Sequence, residues 1–386
     1  MGLIERIASF AGFERRDAAA CIEPSWAALS QGYYASGLSP RAAESLATVL
    51  ACVTAISSAL AYVPALTYRR DGQGDRTEQP GHPLSLIVRN GVNDGMTWPD
   101  FMEHLVASTL LQGNGLAIIL RDGRGQLEGF RFAPWNSVSV AELTSGRLAY
   151  DVSDTRGGTR RYLQGEVVHL RTRTDDGKVG RSVLSRAAET VSTVAGANNL
   201  AGSMLRNGAF PSGFLTAPGT IDPATAARLK ATWDSGYSGD NAGKIAVAGD
   251  GLEWKSLQIS PEDAELLESR KFGVIEICRL FQVPPPIVQA YENSTFTNAA
   301  QAGLWFATFC LSPWARKIEA EFARSVFPSG SSLELELDLS GFLRGDPQTR
   351  WATYDIAAKN SILTVDEMRA NEGYGPMPKV KGPTPD

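Results

Sequence analysis

The sequence is poor in the residues that usually build catalytic and metal centres. It contains only three histidines, His82, His104 and His169, and none has a second ligand residue at metal-binding spacing on one helix face. No stretch has the glycine-rich spacing of a phosphate-binding loop, and no serine lies in a nucleophile elbow. The sequence therefore predicts no metal, no cofactor and no enzymatic activity, and each histidine is predicted to be structural.

Blocks of like charge are also missing. The chain has 37 Lys and Arg residues against 42 Asp and Glu residues, a formal net charge of −5, so composition does not indicate a generic basic nucleic-acid binder. Two denser basic stretches occur, RGGTRRY at 156–162 and RTRTDDGK at 171–178. Both are predicted to be solvated surface, since Asp175 and Asp176 dilute the second.

Long apolar runs are scarce. The stretch at 46–63, LATVLACVTAISSALAYV, is interrupted by Ser and Thr and ends at Pro64, so it predicts a buried helix and not a membrane span. The opening MGLIERIASFAGFERRD carries acidic residues and a short apolar run, so no signal peptide is expected.

Cysteine is rare and widely scattered. The four cysteines are Cys21, Cys52, Cys278 and Cys310, and three of them lie in apolar helical patterns. This spacing is typical of small buried thiols and of a reducing compartment.

The pattern that is present predicts an α+β protein, built either as two or three domains or as one elongated subunit of several parts. Hydrophobic residues make up 43% of 386 positions, as in globular proteins. Helices are predicted from Pro40 to about Tyr62 and from Asp100 to Gln112, and short strands with Gly-rich turns predict an antiparallel β unit over 116–173.

Two long helices are predicted around an inserted α+β module. They span Arg181–Asn207 and Pro261–Phe281, and the insert, 208–260, has a hairpin predicted to turn at Gly249–Gly251. Small residues line the first helix and permit close approach of other helices. The predicted packing positions are Ala188, Ala195, Gly196, Ala201 and Gly202.

A sharp corner follows the second helix, in ICRLFQVPPPIVQAYENSTFTNAAQ. Three consecutive prolines predict that the helix stops and that the chain leaves in a set direction. A third long helix is predicted over 297–327, with a kink near Leu311 caused by Pro313. The alternating LELELDLS predicts a strand with leucines on one face and acids on a solvated face.

Several of these stretches resemble the portal proteins of tailed phages, in particular the short HK97-type family. The similarity runs from about residue 40 to about residue 378. It rests on five stretches in the family's order: LATVLACVTAISSALAYVPALTYRRDG, the HPL segment with its Gly-Asn pair, EVVHLR followed by RNGAFPSGFL, SRKFGVIEICRLFQVPPPIVQAYENSTFTNAAQAGLWFATFCLSPWARKIEAE, and GFLRGDPQTRWATYDIAAKNSILTVDEMRANEGYGPMP. The compact, Ala-rich composition resembles the portals of gene transfer agents.

The resemblance implies the phage portal fold, with wing, stem, clip and a small crown. The implied divisions are an N-terminal arm (1–39), a wing (40–180), a first stem helix (181–207), a clip (208–260), a second stem helix (261–283), a proline corner with a tunnel loop (284–298), the long wing helix and a strand (299–342), and a short helical crown with a tail (343–386).

The resemblance also implies partners and a location. Portals of this family form rings of twelve subunits at one capsid vertex, where DNA enters and leaves. The implied partners are other copies of the chain, double-stranded DNA, the terminase large subunit, the major capsid protein and a head–tail adaptor, with no membrane.

The implied site residues fall in two places. The tunnel loop facing DNA would comprise Gln289, Tyr291, Glu292, Asn293, Ser294, Thr295, Phe296, Thr297 and Asn298. The docking surface of the clip would comprise Phe214, Trp233, Tyr237 and Trp254.

The chain departs from the family pattern at Ile287-Val288-Gln289 and at Asp366-Glu367, and its short C-terminus argues against a long helical crown. Two alternative functions stay open at this point. One is a non-viral oligomeric scaffold or adaptor, and the other is a DNA-processing enzyme whose active residues converge only in space.

Overall fold

The computed structural model describes most of the chain. The described residues are 39–72, 75–154, 158–206, 213–216, 222–225, 227–228, 231, 253–256, 261–291, 296–343, 347–372, 374–375 and 377. The predicted N-terminal arm lies almost wholly outside them. Among the described helices, none combines the length and the apolar character that crossing a bilayer requires.

The first predicted helix is present but divided. Helix α1 (Pro40–Glu44) begins as predicted, with proline in its first turn and the Ser39 hydroxyl accepting from the Ala42 amide. It ends at Ser45, and α2 (Ala47–Tyr62) follows. The Ser45 hydroxyl donates to the Ala42 carbonyl, a local bond that competes with helix continuation.

Helix α4 is fixed at both ends by its own sequence. A short helix, α3 (Pro83–Asn90), precedes α4 (Trp98–Gln112), whose start is a capping box between Thr97 and Asp100. Gly113 ends the helix in the left-handed region, at φ 87°. Helix α4 packs along α2, so that both bury their apolar faces.

The predicted antiparallel β unit is confirmed, and it consists of two three-stranded sheets. Its strands are β3 (Asn114–Arg121), β4 (Leu127–Ala133), β5 (Val138–Glu142), β6 (Leu148–Asp154), β7 (Gly158–Leu163) and β8 (Val167–Arg171). One sheet has the order β4-β3-β8 and the other β5-β6-β7.

A further sheet pairs strands from early and late in the chain. Strand β1 (Ala65–Arg70) lies between β2 (Arg76–Glu78) and the predicted leucine strand, β11 (Leu333–Leu337). Leu335 and Leu337 are buried, whereas Glu334 and Glu336 pair with Arg70 and Arg76. The predicted solvated role of the acids is confirmed.

The first long helix differs from the prediction at its beginning. A single turn, α5 (Val183–Arg186), is separated from α6 (Ala188–Arg206) by Ala187, whose φ of −109° and ψ of 35° are not helical. The single helix predicted over Arg181–Asn207 was therefore wrong in its first turn. The second long helix, α7 (Pro261–Phe281), has the predicted bounds.

The insert between α6 and α7 is described only in part. Strand β10 (Glu253–Ser256) pairs with β9 (Gly213–Thr216), a partner that the sequence did not predict. The turn expected at Gly249–Gly251 lies outside the described residues.

The third long helix is interrupted where Pro313 predicted. Helix α8 (Phe296–Trp305) runs into a π-helical segment (Phe306–Leu311), and α9 (Ser312–Ser325) continues with proline in its first turn. Proline lacks the N–H that a continuous α-helix needs, and the π turn absorbs the mismatch. The structure thus shows an interruption of regular α-helix at the predicted place, near Leu311.

The C-terminal part is helical. It comprises α10 (Ser340–Leu343), α11 (Pro347–Lys359) and α12 (Val365–Asn371). Thr364 caps α12, accepting from the Glu367 amide.

Aromatic rings from different elements form the centre of the main core. Phe130 of β4 stacks on Phe101 of α4 at 5.4 Å between ring centroids and lies 5.6 Å from Phe322 of α9. Trp98 adds an edge contact to Phe322 at 5.8 Å. Such pairs add to the burial energy of the rings, so they hold α9 against the β unit.

A buried polar joint ties the β unit to the start of α5. Asn114 accepts from the Gly180 amide at 2.7 Å and donates to the Gly180 carbonyl at 2.8 Å. Its Oδ1 also lies 3.0 Å from His169 Nε2, and His169 Nδ1 lies 2.9 Å from the Tyr150 hydroxyl. Because that Oδ1 can only accept, His169 donates through Nε2, and when the ring is neutral its Nδ1 accepts from the Tyr150 hydroxyl.

All three histidines have the structural roles that the sequence predicted. His82 caps α3, its Nδ1 accepting from the Leu84 amide, and His104 packs edge-on against Phe132. The backbone amide of His169 donates to the buried Glu321 carboxylate at 2.7 Å. Arg324 closes the set with two hydrogen bonds to that carboxylate.

The neutral His169 predicts acid sensitivity. Burial, helped by the charges of Arg171 and Arg324, lowers its pKa well below the ordinary 6.5. The unfolded chain therefore binds one more proton below pH 6.5. Stability from this group is complete above pH 6.5 and falls by about 1.4 kcal/mol per pH unit as the pH drops from there towards the folded pKa.

Urea unfolding at several pH values between 7.5 and 5 measures this slope. In His169→Gln the free energy of unfolding should fall less steeply between pH 6.5 and 5, because the contribution of one proton is missing. His82, whose pKa burial also lowers, is present in both proteins and cancels. Equal slopes in the two proteins would contradict a neutral, buried His169.

Candidate subunit interface and channel loop

The two long helices that were predicted as a stem pack against each other within one chain. Ala195 of α6 is buried, whereas Ala188 and Ala201 are partly buried. Gly196 is exposed, and a Cβ added there would meet nothing within 4 Å. The predicted small-residue positions thus divide between the intrachain contact and the open surface.

A close approach between these helices occurs at a glycine that the sequence did not single out. Gly273 of α7 is buried, and a Cβ placed there would lie 3.0 Å from Cγ2 of Val194. Because glycine costs about 1 kcal/mol in a helix interior, its presence here reflects this contact. The sequence signal that could have indicated this contact is a lone glycine within a helical pattern.

Filling this contact should force the helices apart. Gly273→Val places a branched side chain against Val194, and we expect a loss of about 1–3 kcal/mol in the free energy of unfolding, the usual cost of overpacking. Urea titration followed by circular dichroism measures it.

Two variants make this result specific. Adding Val194→Ala should recover part of the loss, since it removes the atoms that the new side chain meets. Gly196→Val introduces the same residue where there is open space and should cost little. A Gly273→Val protein as stable as the parent would disprove the close contact.

The proline corner begins before the prolines. Helix α7 ends in a Schellman motif: Gln282 is left-handed at φ 58°, and the amide of Val283 donates to the Cys278 carbonyl at 2.9 Å. Val283 precedes a proline, where helical backbone is disfavoured. The Schellman motif therefore ends α7, and the prolines that follow prevent the chain from continuing as a helix.

A second helical turn that ends at a left-handed residue completes the corner. Pro285–Val288 form a 3₁₀ turn, Gln289 is left-handed at φ 63°, and the amide of Ala290 donates to the Pro285 carbonyl at 3.0 Å. Two hydrogen-bonded helix ends so near each other along the chain, at Gln282 and Gln289, make the corner stiff.

The loop beyond the corner is described at its edges only. Gln289 and Tyr291 are exposed, as a channel-facing position requires. Positions 292–295 lie outside the described residues, and Phe296, Thr297 and Asn298 are placed in the first turn of α8. The assignment of this loop to DNA stays a prediction.

A large apolar face is exposed on the third long helix. Trp305 is 55% exposed and Phe309 is 64% exposed, and Leu304 and Pro313 are exposed beside them. Leu304 and Trp305 end the α-helix that precedes the π segment, and Phe309 lies within the segment. In a soluble monomer the exposed side of a helix would be polar.

Phe342 of α10 extends this face, because α10 contacts both α8 and the π segment and leaves Phe342 exposed. We call Leu304, Trp305, Phe309, Pro313 and Phe342 the apolar wing face. Contiguous exposed Trp and Phe residues mark protein interfaces and often supply most of their binding energy. The sequence signal, the nearly unbroken apolar stretch LWFATFCL, did not show which side was exposed.

The residues predicted for docking at the clip are only partly described. Phe214 lies on β9 opposite Lys255, and Trp254 lies on β10 opposite Leu215, so they are not cross-strand partners. Trp233 and Tyr237 lie outside the described residues. The docking role of all four stays a prediction.

Each of the denser basic stretches has a basic residue paired with an acid, and in the second stretch Lys178 pairs with Glu142. Asp175 of that stretch is paired with Arg186 and Arg181, which lie beyond it, and their hydrogen bonds lower the pKa of that carboxyl. Arg161 forms a two-bond pair with Asp151. These contacts agree with the predicted solvated surface.

Side chains that could bind a metal ion stay apart from one another in the part of the chain that the structure describes. There, no group of three or more His, Cys, Asp or Glu side chains converges in a way that could hold an ion.

The family model described as phage portal protein matches residues 47–373. The chain belongs to the phage portal protein family. A curated relative, the probable portal protein of Streptomyces phage phiC31, is 30% identical over 359 residues, which cover 89% of this chain and 78% of that protein. The portal protein of Enterobacteria phage HK97 is 25% identical over 339 residues, covering 86% and 80%.

Solved structures show the same portal fold. A chain in the neck of a native gene transfer agent particle, computed with C12 symmetry, matches with a TM-score of 0.60 at 22% identity and covers 97% of this chain and 100% of that chain. The predicted α+β portal fold is confirmed, and the predicted membership of the portal family is confirmed with it.

Proposed function

We propose that copies of this chain close into a ring at one vertex of a phage-type particle, around a channel for double-stranded DNA during packaging and ejection. The role is structural and non-enzymatic. The main support is membership of the portal family over residues 47–373. The apolar wing face adds a physical reason for self-association, since it exposes Trp305 and Phe309 on each copy.

Twelve copies are the proposed number. The similar neck chain belongs to an assembly computed with C12 symmetry, and the match covers that chain completely. A closed ring needs heterologous contacts, in which one surface of a subunit meets a different surface of the next. The apolar wing face supplies one such surface, and the exposed Leu200, Phe272 and Ile275 of the long helices supply a second.

The channel loop is proposed to follow the stiff corner that ends at Gln289. Its residues are neutral except Glu292, and Lys and Arg are absent from 289–298. Each phosphate contact by a basic side chain would add salt-dependent affinity, so a loop without them lets the duplex slide. The negative net charge of the chain acts in the same direction.

The insert at 208–260 is proposed as the clip, where the terminase large subunit docks during packaging and the head–tail adaptor afterwards. The wing, 40–180 and 299–342, is proposed to contact the major capsid protein. Both assignments follow the division of the family's subunit, and the two long helices that flank the insert agree with a stem.

Electron microscopy of the purified chain tests the ring. Negatively stained particles should show rings with a central opening wide enough for a DNA duplex, and class averages should give the subunit number. Salt-independent weak DNA retention would agree with a sliding channel. A monomer, or a disc without an opening, would overturn the proposal.

A further inference from the structure

Each of the two long helices has a stripe of exposed residues along one side. Its members recur every three or four positions, as residues on one face of a helix do. The α7 stripe is Glu268, Phe272, Ile275 and Arg279, and the α6 stripe is Glu189, Thr193, Gly196 and Leu200. Phe272 is 53% exposed and Leu200 is 49% exposed, so both stripes present large apolar side chains to the surroundings of the chain.

The two stripes lie on opposite sides of the helix pair. Within the chain the helices meet at Val194 and Gly273, and Arg270 Nε donates to Asn198 Oδ1 at 3.1 Å. At about 100° per residue, each stripe is centred roughly 180° around its helix from these contacts. One chain therefore cannot bring its own stripes together, whereas a row of such pairs sets the α7 stripe of each copy against the α6 stripe of the next.

The contacts within the chain also determine which residues lie at equal height. Val194 is opposite Gly273 and Asn198 is opposite Arg270, so the helices are antiparallel and their register is known. Continued along both helices, this register pairs Glu189 with Arg279, Thr193 with Ile275, Gly196 with Phe272, and Leu200 with Glu268. Rotation about an axis parallel to the helices preserves these heights between neighbouring copies.

The residues at equal height are complementary in shape and charge. A Cβ at Gly196 would meet nothing within 4 Å in its own chain, so no intrachain contact requires a glycine there, although glycine weakens a helix interior. Glu189 and Arg279 carry opposite charges, and neither has an ion-pair partner among the described residues. The Arg279 guanidinium lies 5.9 Å from the Phe272 ring centroid, so the bulky side chain and the cation share one side of α7.

We propose that the α7 stripe of each copy packs on the α6 stripe of the next copy, with Phe272 against Gly196 and Arg279 paired with Glu189. The proposal rests on the proposed ring and specifies how its long helices meet. The partner is a second copy of the chain, because the chain itself carries the stripe that complements α7 in height, bulk and charge. Alternating α6 and α7 helices would then form a continuous wall around the channel.

Gly196→Leu tests the space opposite Phe272. The new side chain starts from open space in its own chain, so the Tm of the subunit should not fall. It would meet Phe272 of the next copy, and we expect association at least about tenfold weaker in sedimentation velocity. Adding Phe272→Ala should make association tighter than in Gly196→Leu alone, although the two positions lie on opposite sides of one subunit.

A cysteine pair measures the register directly and keeps Gly196 and Phe272 in place. The full chain carries Cys21→Ser, Thr193→Cys and Ile275→Cys, and its other native cysteines are buried. Oxidation should link copies into a ladder of multimers on a non-reducing gel. Either new cysteine alone should give no ladder, and Gly196→Cys with Ile275→Cys, displaced by about one turn, should link less.

Electron microscopy of the same samples separates this packing from the proposed ring. A ladder from the Thr193→Cys and Ile275→Cys protein, in particles that form rings, would support both. Rings without the ladder, a stronger ladder from the displaced pair, or no effect of Gly196→Leu on association would overturn this packing and leave the ring. A parent protein that stays monomeric would overturn both.

Discussion

Phe309→Glu should abolish ring assembly while leaving the subunit folded. Phe309 is 64% exposed in the isolated chain, so the fold loses little when it is replaced. In an assembled ring the introduced carboxylate would be buried against apolar groups without a partner. Removing a central aromatic residue typically costs at least 2 kcal/mol of binding energy, so we expect at least about 30-fold weaker association at each contact.

Sedimentation velocity over a range of concentrations measures this loss, and thermal unfolding of the monomer shows that the fold is intact. Ala320→Glu provides the matched control, because it adds the same charge to an exposed position of α9 outside the apolar wing face. Rings that form normally with Phe309→Glu would exclude this face from the interface.

Asn114→Leu should destabilise the subunit more than any surface substitution would. Leucine matches asparagine roughly in size but leaves the Gly180 amide, the Gly180 carbonyl and His169 Nε2 without their partner. Each buried group left unpaired costs about 1–3 kcal/mol, so the three groups together should cost about 3–9 kcal/mol. That is a large share of the stability of an ordinary domain.

Urea unfolding gives the free energy, and Asn360→Leu is the control. Asn360 is exposed and its side chain donates one hydrogen bond, to the Ile356 carbonyl, so its replacement should change stability by less than about 0.5 kcal/mol. Similar small losses in both variants would show that the joint at Gly180 contributes little.

Local sequence signals account for much of the fold. The capping box at Thr97 and Asp100, the proline at position 40 and the leucine alternation at 333–337 all predict what is observed, because their causes lie within a few residues. The proline-induced interruption before Ser312 belongs to the same class.

The elements that were predicted incorrectly, or not predicted at all, depend on contacts from other parts of the chain. Ala187 has good helix propensity, yet the chain turns there because the Arg186 side chain bonds to the Arg173 carbonyl and to Asp175, on the loop after β8. The pairing of β9 with β10 joins residues about forty positions apart, and no local pattern specifies it.

The candidate site divides in the same way. The three consecutive prolines predicted the corner, which the structure confirms. The channel loop after it comes from the resemblance to portal proteins and stays a prediction. The apolar wing face was not predicted, since LWFATFCL is apolar on every side of a helix. Only the packing of Phe306 and Cys310 into the core shows that Phe309 is left outside.

The π segment also allows the long helix to change its length by one residue without moving its neighbours. One residue more than an α-helix needs is stored between Phe306 and Leu311. Deleting one residue there can be absorbed by returning to regular α-helical bonding, with α9 and its core contacts left in place. Because the extra residue is accommodated within the π turn itself, α8 would also keep its place, and a protein shortened by one residue there would fold normally.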